Sequence, residues 1–575
     1  MRGSPMRSLA VAACLFVTPA VTATALAAEP LVTPAERSAA KTLDASALRA
    51  HVRFLSSDLL EGRGPATRGD KLAQSYIAAQ LEALGLEPVP GPGIDGYLQP
   101  FDLVGVNGHP QTLEARAGSK RTELRFHDDF IAVAGEQKAR SELADSELVF
   151  VGYGIVAPEY GWDDFKGADL KGKTLLIMNS DPEDDPALFA GKTRLWYGRW
   201  DYKYEQAAKA GAAGAIIIHT TPSAGYPWKV VQSSWTGEQF DLPAGQGPRL
   251  AVKAWTTEEA TRKLVSLGGK DLDALRTAAQ RRDFRPVPLG VSVSTAFTNT
   301  VSRRPTANVL ARLPGSDPRL REEVVLYTAH HDHLGVNADA KPGEDAIYNG
   351  AVDNASGVAE MLAVARAFRA LPKAPPRTIV FAAVAGEEQG LLGSQYLAEH
   401  LPMPSGRVAA NINLDGANIW GRTTDVTAIG LGKSTLDGPL VALARLQGRT
   451  VKPDQMPDRG FFYRSDQFSF AKLGVPAAYF SSGQSFRGRP EGWGKQQREA
   501  WEEEHYHQPS DELRPDWDLS GAVEDMQLAF LLGAHLARQP QMPTWKPGDE
   551  FEAPRKKALE ALKAAPQAPG ATPSR

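Results

Sequence analysis

Val324-Val325-Leu326-Tyr327-Thr328-Ala329-His330-His331-Asp332-His333 joins a short apolar run to a cluster of imidazoles and a carboxylate. The run has the length of a buried strand, and its β-branched and aromatic side chains suit a pleated interior. The same passage from apolar run to chemistry-bearing residue recurs downstream. Thr378 to Val384 is followed closely by Glu387-Glu388, and Asn411-Ile412-Asn413-Leu414 ends at Asp415. Residues 475–480 supply a fourth strand candidate. Between these runs, residues 357–371 place Val358, Met361, Leu362, Ala365 and Phe368 on one side of a helix. Strands alternating with helices predict an α/β sheet covered on both faces.

In open sheets of this kind, ligands bind in the crevice at the carboxyl ends of the strands. The polar residues named above are therefore expected to meet, although they lie far apart in sequence. Two further segments join them. Gly350-Ala351-Val352-Asp353-Asn354-Ala355-Ser356-Gly357 sets an acid in a turn of small residues before a helix, where backbone can approach closely. His505-Tyr506-His507-Gln508-Pro509-Ser510-Asp511 adds a histidine with an acid four residues on. His330, His331, His333, His505 and His507 are five of the eleven histidines, so imidazole is clustered along the chain.

Imidazole nitrogen and carboxylate oxygen are ligands that Zn²⁺ accepts, and catalytic sites keep one position for water. Two such ions need a bridging carboxylate and neutralise acids that would otherwise repel. Each residue alone has an ordinary reading. A single histidine is commonly satisfied inside a core. Glu387-Glu388 can open a helix, Asp353 can cap one, and Asp415 can end a strand. Their joint occurrence at strand ends is the signal.

The rest of the chain sets the frame. Its 575 residues suggest roughly two to four domains. With 42% hydrophobic and 23% charged residues and a net charge of -4, it reads as globular, with no basic footprint for nucleic acid or an anionic membrane surface. Arg2 and Arg7, an apolar run over residues 9–17 and Ala25-Leu26-Ala27 read as an export signal over residues 1–27. The only cysteine, Cys14, lies inside it, so the mature chain carries no disulfide. Val11-Ala12-Ala13-Cys14 also fits a lipoprotein box, which would anchor the chain at Cys14. Otherwise the chain is periplasmic or secreted, with no later apolar stretch reaching the ~20 residues of a membrane span. Residues 43–86 read as helical, capped by Asp44 or Ser46 and broken at Gly62-Arg63-Gly64-Pro65. From about residue 126 to 290 short β-like runs alternate with Gly- and Asp-rich turns and hold no cluster of ligand types, which reads as a β-rich insert. The Ala-, Pro- and Lys-rich end reads as a flexible tail over residues 541–575.

Together these segments resemble the M28 family of zinc exopeptidases, over about residues 43–101 and 306–536. The resemblance rests on His-X-Asp at His330, Gly-Ala-X-Asp-Asn-Ala-Ser-Gly around Asp353, Gly-Glu-Glu ending at Glu388, Asn-Leu-Asp ending at Asp415 and His-X-Pro-X-Asp from His507. It implies a three-layer α/β/α core with a mainly parallel mixed sheet, in two parts, residues 28–125 and 291–540. The insert at 126–290 resembles a protease-associated domain through Val151-Gly152-Tyr153-Gly154 and Asp169-Leu170-Lys171-Gly172-Lys173. The resemblance further implies a hydrolase, a metalloprotease of aminopeptidase type that uses two zinc ions and acts on peptides with a free N-terminus. His330 and Asp415 would bind one ion, Glu388 and His507 the other, and Asp353 both. Glu387 would be the general base towards a metal-activated water, Asp332 would orient His330, and Asp511 would do the same near His507. His331 and His333 carry no role in that pattern. Tyr463 and Arg464 are pocket candidates, and Gln467 departs from a family stretch that often reads Ser-Asp-His. A carboxypeptidase, a single-zinc transferase similar to glutaminyl cyclases, and a non-catalytic binding protein of transferrin-receptor type stay open as alternatives.

Overall fold

The computed structural model describes residues 30–183, 185, 188–337 and 340–564; the expected export signal and Cys14 lie outside them. Four parallel strands form the centre of the main sheet. Val324–His330 lies between Thr378–Val384 and Val408–Asn413, and Ala477–Ser482 follows beside the latter. Antiparallel strands flank this group: Val287–Leu313 pairs with Thr378–Val384 on one side, and Asp425–Ile429 with Ala477–Ser482 on the other.

The alternation along the first strand explains the layering. Val325, Tyr327 and Ala329 point into a core shared with the helices Ala45–Leu55, Gly357–Arg369 and Ser520–Arg538. Val324 and Leu326 point to the opposite face, against Leu397 and Phe470. The strand is fully buried because helices cover both sides, as its unbroken apolar sequence requires. Tyr327 is tolerated inside because its hydroxyl donates to the carbonyl of Ala529 at 2.8 Å. At the N-terminal helix it is Asp44, not Ser46, that caps, accepting from the Ala47 amide at 2.9 Å.

A second sheet gathers the strands from Thr112–Ala117 to Val252–Thr257, with Thr174–Met178, Gly214–His219 and Val252–Thr257 running parallel at its centre. It begins before residue 126, because Thr112–Ala117 and Lys120–Arg125 form a hairpin that pairs with Val287–Leu313. That 27-residue strand serves both sheets: its first part pairs with Arg140–Phe150, its last part with Thr378–Val384. An aromatic cluster closes the seam, with Tyr153, Trp162 and Phe189 packed with Phe462, Tyr463, Phe468, Trp545 and Phe551.

The C-terminal segment differs from its composition. Trp545 and Phe551 are buried in that cluster, and Glu552–Ala564 is helical with the Arg555 guanidinium donating to the Val408 carbonyl at 2.9 Å. Two aromatic anchors and one buried arginine outweigh an otherwise polar stretch. Among the described residues, no helix is long and apolar enough to cross a membrane.

Candidate metal centre

The parallel register aligns the strand ends that carry the chemistry. His330 pairs with Val384, and Thr328 with Asn413. His330 therefore stands at one strand end, Glu387 and Glu388 just past the second, and Asp415 just past the third. Gly350 bends the fourth contributor into place. Its φ is +55°, and a Cβ there would lie 2.3 Å from the Asp353 carbonyl oxygen and 2.6 Å from the His333 ring. Only glycine fits that turn.

Ligand-type atoms of His330, Glu387 and Asp415 lie within 4.8 Å of one another, as do those of His330, Asp353 and Glu388. His330 Nε2 is 3.2 Å from Asp353 Oδ1 and 3.5 Å from Asp415 Oδ1. His507 Nε2 is 3.3 Å from Asp353 Oδ2 and 3.1 Å from Glu388 Oε2. Asp353 thus turns one oxygen to each histidine. All five expected ligands and Glu387 meet in one place.

The donor set fits divalent cations. Among the described residues, no lysine or arginine forms an ion pair with Asp353, Glu387, Glu388 or Asp415. His507 keeps both ring nitrogens inaccessible and without a hydrogen-bond partner. Four carboxylates converging with two imidazoles match the nitrogen and oxygen preference of zinc, and positive charge at the centre removes their mutual repulsion. Burial opposes charge on Glu388 and His507, but their attraction wins, lowering Glu388 to about 2 and raising His507 to about 10. Burial, with Glu388, Asp466 and Asp415 nearby, pushes Glu387 well above the usual carboxylate range.

Residues 308–531 match the model of Peptidase family M28. The matched segment holds all six residues of the cluster. A "Probable zinc metalloprotease" of Pyrenophora teres f. teres (strain 0-1) is 46% identical over 108 residues, 19% of this chain and 22% of that relative. The chain thus aligns with about a fifth of that relative's length. "Aminopeptidase YwaD" of Bacillus subtilis (strain 168) is 26% identical over 400 residues, 68% of this chain and 65% of the relative. The solved aminopeptidase from Aneurinibacillus sp. strain AM-1 has the same fold, with a TM-score of 0.50 and 20% identity over 89% of this chain and 98% of that one.

Around the cluster several side chains differ from their sequence expectation. The Asp332 carboxylate lies 3.8 Å from His330 Nδ1, while its own backbone carbonyl lies at 3.2 Å. That carboxylate accepts from the amides of Glu387 at 3.1 Å and Glu388 at 3.4 Å, so it braces the Glu-Glu turn as well. Asp511 does not hold His507. It accepts from the amides of Val352 and Asp353 at 2.9 and 3.1 Å, fixing the Asp353 loop. Tyr463 is not a pocket residue: it is buried in the aromatic cluster and its hydroxyl donates to Glu550 at 2.5 Å. Gln467 donates to the Phe462 carbonyl at 2.7 Å and is part of the scaffold.

Three contributors carry no expected role. Ser465 donates to Asp415 Oδ2 at 2.6 Å and receives from Asn413 at 2.7 Å. His331 is tied to Asp70 at 2.9 Å. His333 Nδ1 lies 2.6 Å from Glu388 Oε1, which leaves Glu388 Oε2 for His507. The polar cluster at the strand end was the available signal for His333. Replacing His333 by alanine is expected to weaken metal affinity by about 10–100-fold, as loss of a residue that orients a ligand does. A chelator-competition titration reads it; wild-type affinity in the variant would remove His333 from the site.

Arg63 holds the whole arrangement from beneath. Wholly buried, its guanidinium donates to the carbonyls of His331 at 2.8 Å, Asn349 at 2.7 Å and Gly350 at 2.9 Å. It joins the His330 and Asp353 loops and places a positive charge behind the acids. Burial lowers its pKa to about 10 against the pull of Asp332, Asp511, Asp353 and Glu388, so it stays protonated. Arg63→Met strands those carbonyls and is expected to cost ~3 kcal/mol or more of stability, read as a fall in thermal unfolding temperature. An unchanged transition would contradict the role.

Proposed function

We propose that the chain is an exported aminopeptidase that removes N-terminal residues from peptides with two zinc ions per molecule. The observation that carries it is the meeting of His330, Asp353, Glu388, Asp415, His507 and Glu387 at the strand ends. The match of residues 308–531 to the model of Peptidase family M28 and the names of the relatives support the peptidase class.

His330 and Asp415 would hold one ion, Glu388 and His507 the other, and Asp353 both. The ions would supply Lewis acidity towards the scissile carbonyl and the attacking water. Glu387, adjacent to the His330–Asp415 pair and engaged by no described cation, takes the proton of that water and returns it to the leaving nitrogen. Asp332 and Asp511 keep the Glu387 and Asp353 backbones in place. Ser465 fixes the free oxygen of Asp415.

The test is turnover of aminoacyl and peptidyl substrates against their N-acetylated forms, with metal analysis before and after chelation. Two zinc ions per chain, activity lost with the metal and restored by zinc, and rejection of blocked N-termini are expected. Release of C-terminal residues from blocked peptides would replace this reading with the carboxypeptidase one. One zinc with cyclised product would replace it with the transferase.

A further inference from the structure

Four polar side chains lie where the main sheet is otherwise apolar. Thr328, Asn411, Asn413 and Ser465 are each 2% exposed or less. Thr328 pairs in register with Asn413, two residues along from Asn411, so all three point to one face of the sheet. That face is packed with Val324, Leu326 and Phe470. An amide or hydroxyl buried there costs stability unless it is bonded, and apolar groups of the same shape would fill the core equally well. Core packing therefore does not account for these residues.

The hydrogen bonds among them run one way. Asn411 Nδ2 donates to Thr328 Oγ1 at 3.0 Å, and Thr328 to Asn413 Oδ1 at 2.6 Å. Asn413 Nδ2 donates to Ser465 Oγ at 2.7 Å, and Ser465 to Asp415 Oδ2 at 2.6 Å. The last member sets the direction. An ionised carboxylate only accepts, so the single hydrogen of Ser465 goes to Asp415. Ser465 must then receive from the Asn413 amide nitrogen, which turns the Asn413 carbonyl towards Thr328. Thr328 gives its own hydrogen there and receives from Asn411. No member reverses without stranding a neighbour, and aligned bonds of this kind strengthen one another in a dry interior. The donor end of the chain meets Asp415 Oδ2, while Asp415 Oδ1 faces His330 at 3.5 Å.

We infer that Asn411, Thr328 and Asn413 are positioning residues that act through Ser465, so that a polar chain across two strands sets how firmly His330 and Asp415 hold their metal ion. This rests on the two-zinc reading and deepens it. The chain fixes the rotation of the Asp415 carboxylate and leaves one oxygen for the ion. Among the described residues, Glu388 and His507 form no hydrogen bond with any member of the chain, so the second ion should not feel it.

The test is zinc retention by the full chain under graded chelator, read by metal analysis, beside thermal unfolding of the metal-free protein. Thr328→Val keeps the shape of the side chain and removes its hydroxyl. It is expected to weaken one of the two zinc ions by about 10-fold and leave the other unchanged. Ser465→Ala should show the same one-ion loss. Thr328→Ser, which keeps the hydroxyl, should hold both ions as the wild type does. Thr328→Ala covers a valine variant that fails to fold. Unchanged retention of both ions in the folded variants overturns the inference, and so does equal weakening of both, the mark of general core damage. The metal-free protein separates the chain from the parent reading. Thr328 and Ser465 share no hydrogen bond, so independent bonds predict additive falls in unfolding temperature for Thr328→Val and Ser465→Ala. A single chain predicts a fall in the double variant well short of the sum, and an additive result overturns it. A wild type that binds fewer than two zinc ions sinks the two-zinc reading. A non-additive result then keeps the chain as the brace of Asp415, and an additive one sinks both.

Discussion

Replacing Glu387 by glutamine is expected to lower kcat by about 10²–10⁴-fold while leaving the metal content unchanged. The amide keeps the shape of the side chain and removes its ability to accept a proton. Glu387 shares its immediate space with His330 and Asp415, but the other ion would be held by Asp353, Glu388 and His507. Its loss should therefore separate proton transfer from ligation. KM should change far less than kcat, because the missing step lies after binding. Metal analysis, steady-state kinetics and a thermal scan on one preparation decide the matter. A variant with near-normal kcat, or one that has lost zinc, would remove Glu387 from the role of base.

Replacing Asp353 by alanine is expected to have the opposite signature, with both metals lost and activity falling below detection. Its two oxygens face His330 and His507 separately, at 3.2 and 3.3 Å. No other carboxylate of the cluster faces both histidines at such distances, since Asp415 lies near His330 and Glu388 near His507. Without Asp353 each half keeps three of the named side chains at most, and the two ions lose the charge between them. The Asp353 loop is braced by Asp511 and Arg63 through its backbone, so the variant should still fold. Two tightly held zinc ions per chain in that variant would rule out the bridge. Together the two substitutions distinguish a catalytic group from a structural one within the same few ångströms.

Much of this architecture was legible in the sequence, and the reasons are specific. Unbroken apolar runs such as Val324–His330 and Thr378–Val384 can be buried only between two helical layers, so fold class followed from them. The clustered residues were visible because strand ends converge and because their residue types suit a metal ion. What escaped was tertiary. Nothing local to Gly62-Arg63-Gly64 says that the Arg63 guanidinium will span the His330 and Asp353 loops, since its partners are carbonyls, which carry no sequence signal. Tyr463 precedes Ser465, which donates to Asp415, yet the turn over Phe461–Tyr463 sets it in the seam, where its hydroxyl donates to Glu550. The unexpected order of the C-terminal helix comes from Trp545 and Phe551, two residues within a stretch whose average is polar.

Gly108 and Asn299 face each other across an antiparallel pair, and between them the chain builds the second sheet and touches the main one once, where Glu238–Asp241 pairs with Leu98–Gly108. Cross-strand neighbours are about 5 Å apart, a span that a two-residue turn closes. The whole arm between them can therefore be grafted or shed at a single hairpin tip without cutting any strand that presents a metal ligand. Shedding it would bare the flank of Phe462 and Phe468. The clustered acids and histidines and the second sheet would then reside on pieces that evolution can exchange independently.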